Sequence, residues 1–500
     1  MKTSLKILVA ALCLLAAWRI FCADGTRELE WKRGIFRVNS SVSSGNESIP
    51  QIATEAEEAG LDFVVFSDQF LVIAEYGLPP FRKIFHKVVE RPSIVNFGID
   101  NYLNLIAETA RLHPKMAIIA GADIAPHYYW TGNPFKKNLA VNQYSEQLTV
   151  FGPNDPGFYR GLPVIHNNIP FKSWAGVLLR LSPLLLCVLA LLLFRAARQP
   201  YYSDAQGHQY HPPAKIKLAF SAFLFLAGLL WCLNNRPFSA ALGYDQYAKK
   251  GIMPYQKAID YVRNQAGTKG GIVWSAPEAV MKDKIAGVFL FTIPYLQDIE
   301  ETKGHNGLAG IYGDVSHAHE PGKSWDKMLR EYCEGTRKEL PAILGERDYH
   351  GRGGNIGLVQ TVVHSRENTP EAIVKAIIEG RSYAVAKGGG ILQLREACLR
   401  EPIGGTAGLG ETLTINDSVE SCTLRISGSL AGASETTGRL VIVLNGEQYS
   451  TEILELKDFA FSKEIRLRKG EKMQYVRFYI TTSGAGWLLS NPVFIVKTKG

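Results

Sequence analysis

The chain has 500 residues, 46% of them hydrophobic and 20% charged, with a formal net charge of +8. That length has room for about three ordinary domains. Lys and Arg are scattered rather than striped, which excludes an electrostatic footprint for nucleic acid, so no nucleic-acid partner is expected.

Lys2 and Lys6 precede the apolar run Ile7 to Trp18 and then Cys22-Ala23-Asp24, a layout that predicts a signal peptide or a retained signal anchor over residues 1–24. The stretch Gly34 to Phe70 reads as strand, loop, helix, strand. Ile35 to Asn39 is extended and Ser40 to Asn46 is turn chemistry. Ile49, Ile52, Ala53, Ala56 and Ala59 recur at helical spacing up to Gly60, and Leu61 to Phe66 is a continuous apolar run of the kind a buried parallel strand needs. Polar residues collect where each strand stops, at Arg37 and Asn39 and at Ser67, Asp68 and Gln69, which is where α/β barrels build their sites.

Asn101 to Leu112 is an amphipathic helix, and Met116 to Ala120 is a strand running into Gly121-Ala122-Asp123-Ile124. Two long apolar runs follow, Trp174 to Phe194 and Leu218 to Leu233, each near the roughly 20 residues that span a bilayer. The link between them holds Arg195, Arg198, Lys215 and Lys217 against Asp204, which places it in the cytoplasm and both flanking segments outside. The protein is therefore expected in the cytoplasmic membrane, with residues 25–173 and 235–500 extracytoplasmic. Arg180 and Pro183 interrupt the first run, and Arg180 could snorkel to the outer interface.

A helix over residues 254–266 and a strand Gly270 to Trp274 lead into Ser275-Ala276-Pro277-Glu278. The strand Gly307 to Tyr312 precedes His317-Ala318-His319, read as a solvated loop before the helix Trp325 to Cys333. Pro341 to Gly345 is a strand that ends Glu346-Arg347-Asp348-Tyr349-His350-Gly351. From Ile391 onward, short alternating runs and turns such as Asn445-Gly446 predict an antiparallel β-sandwich. Of the seven cysteines, Cys398 and Cys422 could pair in an oxidising compartment.

These segments, in this order, resemble the PHP (polymerase and histidinol phosphatase) domain family in a membrane-associated form. That family opens H-x-H-T/S, has a helix ending A-x-x-G-hydrophobic-D, a strand ending T-D-H, then G-x-E, x-x-H-P and S-D-x-H-G. This chain carries Arg37-Val38-Asn39-Ser40, Ala59-Gly60-Leu61-Asp62, Ser67-Asp68-Gln69, Gly121-Ala122-Asp123, Ala276-Pro277 and Asp348-Tyr349-His350-Gly351 in the corresponding frames. The resemblance implies an α/β fold: a PHP-like distorted (β/α)7 barrel over residues 25–173 and 235–388, interrupted by a transmembrane helical hairpin at 174–234, and followed by the β-sandwich at 389–500.

It also implies a divalent metal site, with Mn, Zn or Fe, that lowers the pKa of a bound water. Here Arg37, Asn39, Gln69 and Ala276 replace ligands, while Asp123, Asp348, His350 and His127 retain lone-pair donors; His127 is equally read as a member of an aromatic cluster with Tyr128, Tyr129 and Trp130. The centre is thus expected to be reduced or absent. A guanidinium repels a cation, so Arg37 either fills the space of a lost ion and pairs with Asp348 or Asp123, or points to solvent. Asp68 and Asp348 would carry any surviving catalysis, and Arg37, Asn39 and Gln69 would line a site for a phosphorylated or anionic ligand. The expectation is a membrane-anchored extracytoplasmic binding module for a ligand or a protein partner. The alternative is a metal-dependent phosphoesterase with a reduced site.

Overall fold

A computed structural model describes residues 29–168, 174–197, 202–203, 205–207, 209–210, 215–237, 244–285, 287–351, 355–402, 404–432 and 437–498. The signal segment expected at 1–24, and Arg198 and Asp204 of the link, lie outside the described residues.

The first strand, β1 (Glu30–Val38), is buried from Gly34 onward. A turn leads to α1 (Ile49–Glu58), where the Gln51 side chain accepts from the Ser48 backbone N–H at 2.9 Å and so satisfies one of the donors a helix start leaves open. The helix buries Ile49, Ile52, Ala53 and Ala56 as one stripe. The chain then enters β2 (Phe63–Phe66), in which every residue is buried.

The strands pair in two series joined by a bend in the chain. β1 runs parallel to β2, and β2 parallel to β3 (Ala117–Ile119), against which α2 (Ile99–Leu112) packs. At Ala120 the strand bends into β4 (Gly121–Ile124), and only glycine fits the bend: a Cβ on Gly121 would come within 2.5 Å of the Phe66 carbonyl oxygen and 2.6 Å of that of Val150. β4 pairs antiparallel with β5 (Leu148–Phe151), and β5 antiparallel with β6 (Gly271–Trp274). β6 runs parallel to β7 (Gly307–Ile311), and β7 to β8 (Ala342–Gly345). Past β8 the chain returns to β1: Val38 and Tyr349 bridge in parallel, with Tyr349 N–H donating to the Arg37 carbonyl at 3.1 Å and Asn39 N–H to the Tyr349 carbonyl at 2.8 Å. The C-terminal ends of β1, β2, β4, β6, β7 and β8, and the N-terminal end of β5, therefore meet on one side.

Two elements grow from that side. Between β2 and α2 the chain makes a two-stranded ribbon, Val72–Gly77 paired with His86–Arg91. The segments Tyr129–Thr131, Ala140–Asn142, Met281–Ile285 and Val288–Thr292 form a small sheet. Both rest on an aromatic cluster that includes Tyr76, Tyr128, Trp130 and Tyr247.

The first long apolar run is two helices, α3 (Trp174–Leu181) and α4 (Leu184–Ala197), bent by 40° across Ser182-Pro183, where proline disfavours a continuous helix. α5 (Lys215–Asn235) is one helix long and apolar enough to cross a membrane, and the bent pair passes the same test taken together. α4 and α5 pack closely: Ser221 Oγ donates to the Ala190 carbonyl at 2.6 Å, and a Cβ on Gly228 would meet Cys187 Sγ and the Pro183 carbonyl at 2.9 Å. Their other faces expose large apolar side chains such as Leu185, Leu192, Phe223 and Leu226. α6 (Met253–Ala266) follows the small-sheet linker and packs on β6.

β1 also pairs antiparallel with β9 (Val359–Ser365), and β9 with β10 (Ser382–Ala386), separated by α8 (Pro370–Ile378). β10 pairs with Trp487–Ser490, so the sheet continues without a break into the C-terminal part. There a second sheet, built on Ile391–Arg400, Ser421–Ala431 and Phe459–Arg466, faces the first across a core that includes Leu394, Leu424, Ile442 and Phe478. The junction is polar and buried. Arg477 donates to both Asp326 oxygens, at 2.8 and 2.6 Å, from the sandwich to α7 (Ser324–Cys333). Asn491 holds the Ile343 backbone at both its N–H and its carbonyl.

Two sequence expectations are corrected here. Cys398 and Cys422 are free and buried, because the register sets Cys398 opposite Arg425 and Cys422 opposite Ile465. In the His317-Ala318-His319 triplet only His317 is solvated; His319 is buried against Tyr479 and Trp487 of the sandwich.

Candidate functional site

The ends of β1, β4 and β8 converge on Arg37. Its Nε donates to Asp123 Oδ2 at 2.8 Å, its Nη1 to Glu346 Oε1 at 3.2 Å and its Nη2 to Gln147 Oε1 at 2.5 Å, while Asp348 Oδ1 lies 3.6 Å from Nη1. Arg37, Asp123 and Glu346 are buried. One guanidinium thus faces three carboxylates and an amide oxygen, using all three of its nitrogens. Burial works against the Arg37 charge, but Asp348, Asp123 and Glu346 outweigh it and push its pKa further up.

The backbone is bent to make this possible. Arg37 has φ +66°, Ala276 φ +39° and Asp348 φ +49°, the left-handed region that non-glycine residues seldom occupy. Such conformations cost about 1–3 kcal/mol each and persist where the surroundings over-determine them. The bend at Ala276 aims its N–H at Glu346 Oε1, 2.7 Å away. A backbone donor thereby serves the carboxylate at the position where the resembling family carries a histidine.

The remaining polar groups extend the network. Thr149 Oγ1 donates to Asp123 Oδ1 at 2.5 Å and lies 2.7 Å from Ser275 Oγ. Asn39 Nδ2 donates to Asp348 Oδ1 at 3.4 Å, and His350 Nε2 sits 3.2 Å from the same oxygen, with Ser44 Oγ 3.1 Å from its Nδ1. Asp68 is buried and served by the turn after β1: it accepts from Ser40 N–H and Ser40 Oγ at 2.8 Å and from Ser43 Oγ at 2.6 Å. Gln69 bridges Asp123 through the backbone and lines a cavity of about 40 Å³ with Asp123, Gln147 and Val72.

Burial lifts the carboxyls unevenly. It raises Glu346 to about 7 against the pull of Arg37, and Asp68 to about 6 against the bonds from Ser43 and Ser40. Asp123 also moves up, with Arg37 and Thr149 opposing burial. Asp348 moves the other way: burial would raise it, yet Arg37 and His350 hold it well below the usual carboxylate range. The hydrogen bond to Asp348 in turn raises His350.

Arg37, Asn39, Asp123, Asp348 and His350 therefore come together; the Asp68 side chain joins them through Ser43 and Asn39, and its carbonyl accepts from the Asp123 N–H at 3.0 Å. His127 does not join. It is buried in the aromatic cluster, its Nε2 3.4 Å from the Asp245 carbonyl and its ring against Tyr129 and Tyr244, which corrects its place in the metal set. Two partners of Arg37 were missed. Glu346 lies just past β8 and two residues before Asp348, whose left-handed backbone breaks the extended alternation that a sequence reading would use. Gln147 lies at the start of β5, a strand too short to read.

The donor set does not fit a metal centre of the kind the resembling family holds. The middle of the cluster is a fixed cation, and among the described residues no group of three His, Cys, Asp or Glu side chains is arranged to hold an ion.

No protein-family model matches the chain, and no curated protein matches it. Among solved structures it is similar to a two-domain protein from Bacteroides vulgatus containing a predicted PHP-like metal-dependent phosphoesterase, with a TM-score of 0.34 and 11% identity, over 92% of this chain and 95% of that one. It is also similar to a protein from Bifidobacterium adolescentis assigned as a metal-dependent phosphoesterase, with a TM-score of 0.28 and 11% identity, over 65% of this chain and 90% of that one. The account of the site given above rests on neither likeness.

Proposed function

We propose that this is a PHP-like barrel held at the membrane by the α3–α5 hairpin, in which an ion-pair cluster around Arg37 stands where a metal centre would be, and that it acts as a binding module rather than a phosphoesterase. The observation that carries the reading is the guanidinium of Arg37 bonded to Asp123 and Glu346 and facing Asp348. The order of the strand-end motifs and the return of the strand series to β1 support the barrel. The apolar outer faces of α4 and α5 and the basic residues at their link ends support the hairpin, with the barrel and sandwich extracytoplasmic.

The same geometry removes the reason to expect an anionic ligand at this spot. Three of the five N–H donors of Arg37 are bonded to Asp123, Glu346 and Gln147, and an incoming phosphate would be repelled by Asp123, Glu346 and Asp348 around it. Binding is better sought on the surfaces around the mouth.

The test is metal analysis of the full chain, purified in detergent and dialysed against Mn or Zn, together with assay on bis(p-nitrophenyl) phosphate. The expected result is less than one tenth of an ion per chain and no turnover above buffer. A stoichiometric ion with hydrolysis would overturn the proposal.

A further inference from the structure

The ribbon Val72–Gly77 with His86–Arg91 carries apolar side chains in places that water would reach. All six residues of its outer strand are exposed, with Val88 at 45% and Val89 at 49%, and Phe85 beside them at 58%. A two-stranded ribbon is marginal in water, and grouped apolar side chains on one call for a cover.

Two observations say what the cover is. The turn of the ribbon is tied to the end of α5 opposite the basic link: Lys83 N–H donates to Asn234 Oδ1 at 2.8 Å, and Arg236 Nη2 donates to the Lys83 carbonyl at 3.2 Å. Phe85 therefore stands at the level where the spanning helix ends. Beside the apolar residues, Lys87 and Arg91 are exposed as well, outnumbering Glu90, which accepts from Asn96 Nδ2 at 2.7 Å, and a headgroup layer accepts such a mixture of apolar and cationic groups. The ribbon cannot fold away from this position. Gly77 N–H donates to Tyr247 Oη at 2.7 Å, Trp130 Nε1 donates to the Glu75 carbonyl at 2.8 Å, and the buried Glu75 carboxylate meets Lys83 at 3.0 Å and Arg236 at 3.6 Å.

We propose that the ribbon is a lipid-docking element: its outer strand enters edge-on the outer headgroup layer of the bilayer that α3–α5 cross, with Phe85 and with Val88 and Val89 on its two faces, and with Lys87 and Arg91 against lipid phosphates. This rests on the membrane reading of the hairpin. The ribbon begins four residues after Asp68, and Val72 lines the cavity beside Asp123, so the barrel mouth faces the membrane surface and whatever it admits arrives along that surface.

The experiment uses the full chain in nanodiscs of phosphatidylcholine and phosphatidylglycerol doped with a phospholipid that carries a diazirine near its headgroup. After irradiation, lipid adducts are mapped by peptide mass spectrometry. Adducts are expected on the peptide spanning residues 84–91 and on α5, and none on Glu447–Glu455 of the sandwich, where Ile453 is 72% exposed. The Val88→Asp/Val89→Asp variant should lose at least fivefold of the ribbon adducts and keep those on α5. Adducts on α5 without any on the ribbon would overturn the docking proposal and leave the membrane reading standing. Adducts on neither would overturn both.

Discussion

Arg37 Nε and Asp123 Oδ2 meet at 2.8 Å inside the protein, where the guanidinium side chain is 7% exposed and the carboxylate 1%. An ion pair this deep gains little over an apolar pair of the same shape, but removing one partner strands the other. Arg37→Met should therefore cost about 3–5 kcal/mol at pH 8, read as a lowered unfolding midpoint in detergent. The loss should shrink at pH 5, where the stranded carboxyls can take up protons. An unchanged midpoint at pH 8 would mean that the carboxylates do not depend on Arg37.

Glu346 gives the chain a pH dependence of definite sign. Folded, it keeps its proton up to about pH 7, whereas a free glutamate releases it near 4.5. Between those values the folded state binds more protons than the unfolded one, so stability falls as pH rises, by on the order of 3 kcal/mol across the window. Asp68, at about 6 against 3.8, adds in the same direction. The downward shift of Asp348 acts only below about 3.8, outside this range. Glu346→Gln keeps an oxygen for the Ala276 N–H and should remove the Glu346 share of the slope, most visibly between about pH 6 and 7, and leave the share of Asp68 and Asp123; a variant whose slope matches that of the native chain would show that the proton resides elsewhere.

Restoring lone-pair donors should restore metal affinity. Arg37→His with Asn39→His and Gln69→His removes the central cation and adds three imidazoles beside Asp123, Asp348 and His350. Titration calorimetry with Zn should show about one ion or more bound per chain, with proton release, where the native chain shows none. Failure of the folded triple variant to bind would place the cause in the backbone shape rather than in the side chains.

The junction between α7 and the C-terminal sheets rests on Asp326 and Arg477, which are 0% and 1% exposed. Arg477→Ala should destabilise by about 3–5 kcal/mol, and Arg477→Leu combined with Asp326→Leu by much less, because no charge is then left buried alone. Thermal unfolding of the three chains decides this; equal losses would show that the pair acts through shape alone.

Much of this fold was written locally. The run from Ile35 to Phe66 announced β1, α1 and β2 by periodicity, the uncharged core of α5 announced its length, and the alternating runs after Ile391 fell on strands. What escaped notice was set by distant partners. Leu148–Phe151 is a four-residue apolar run whose antiparallel role comes from β4 and β6. His319 is buried only because Tyr479 and Trp487 arrive from the sandwich. At the site, Arg37 between Asp348 and Asp123 was one of the arrangements the residues suggested. Glu346 and Gln147 complete the shell, but the ring has to close before the two come near.

β5 and β6 are hydrogen-bonded neighbours, yet all of residues 152–270, the apolar helices α3, α4 and α5 among them, separate them along the chain. Synthesis must therefore deliver the hairpin before the strand that follows it can dock. β6 can dock only after those helices have been made, and during that interval β5 presents an unpaired edge. A cell making this protein has to shield that edge, so chaperones should bind nascent chains arrested after α5 and release those extended past β6; if the membrane reading proposed above holds, those chaperones are extracytoplasmic.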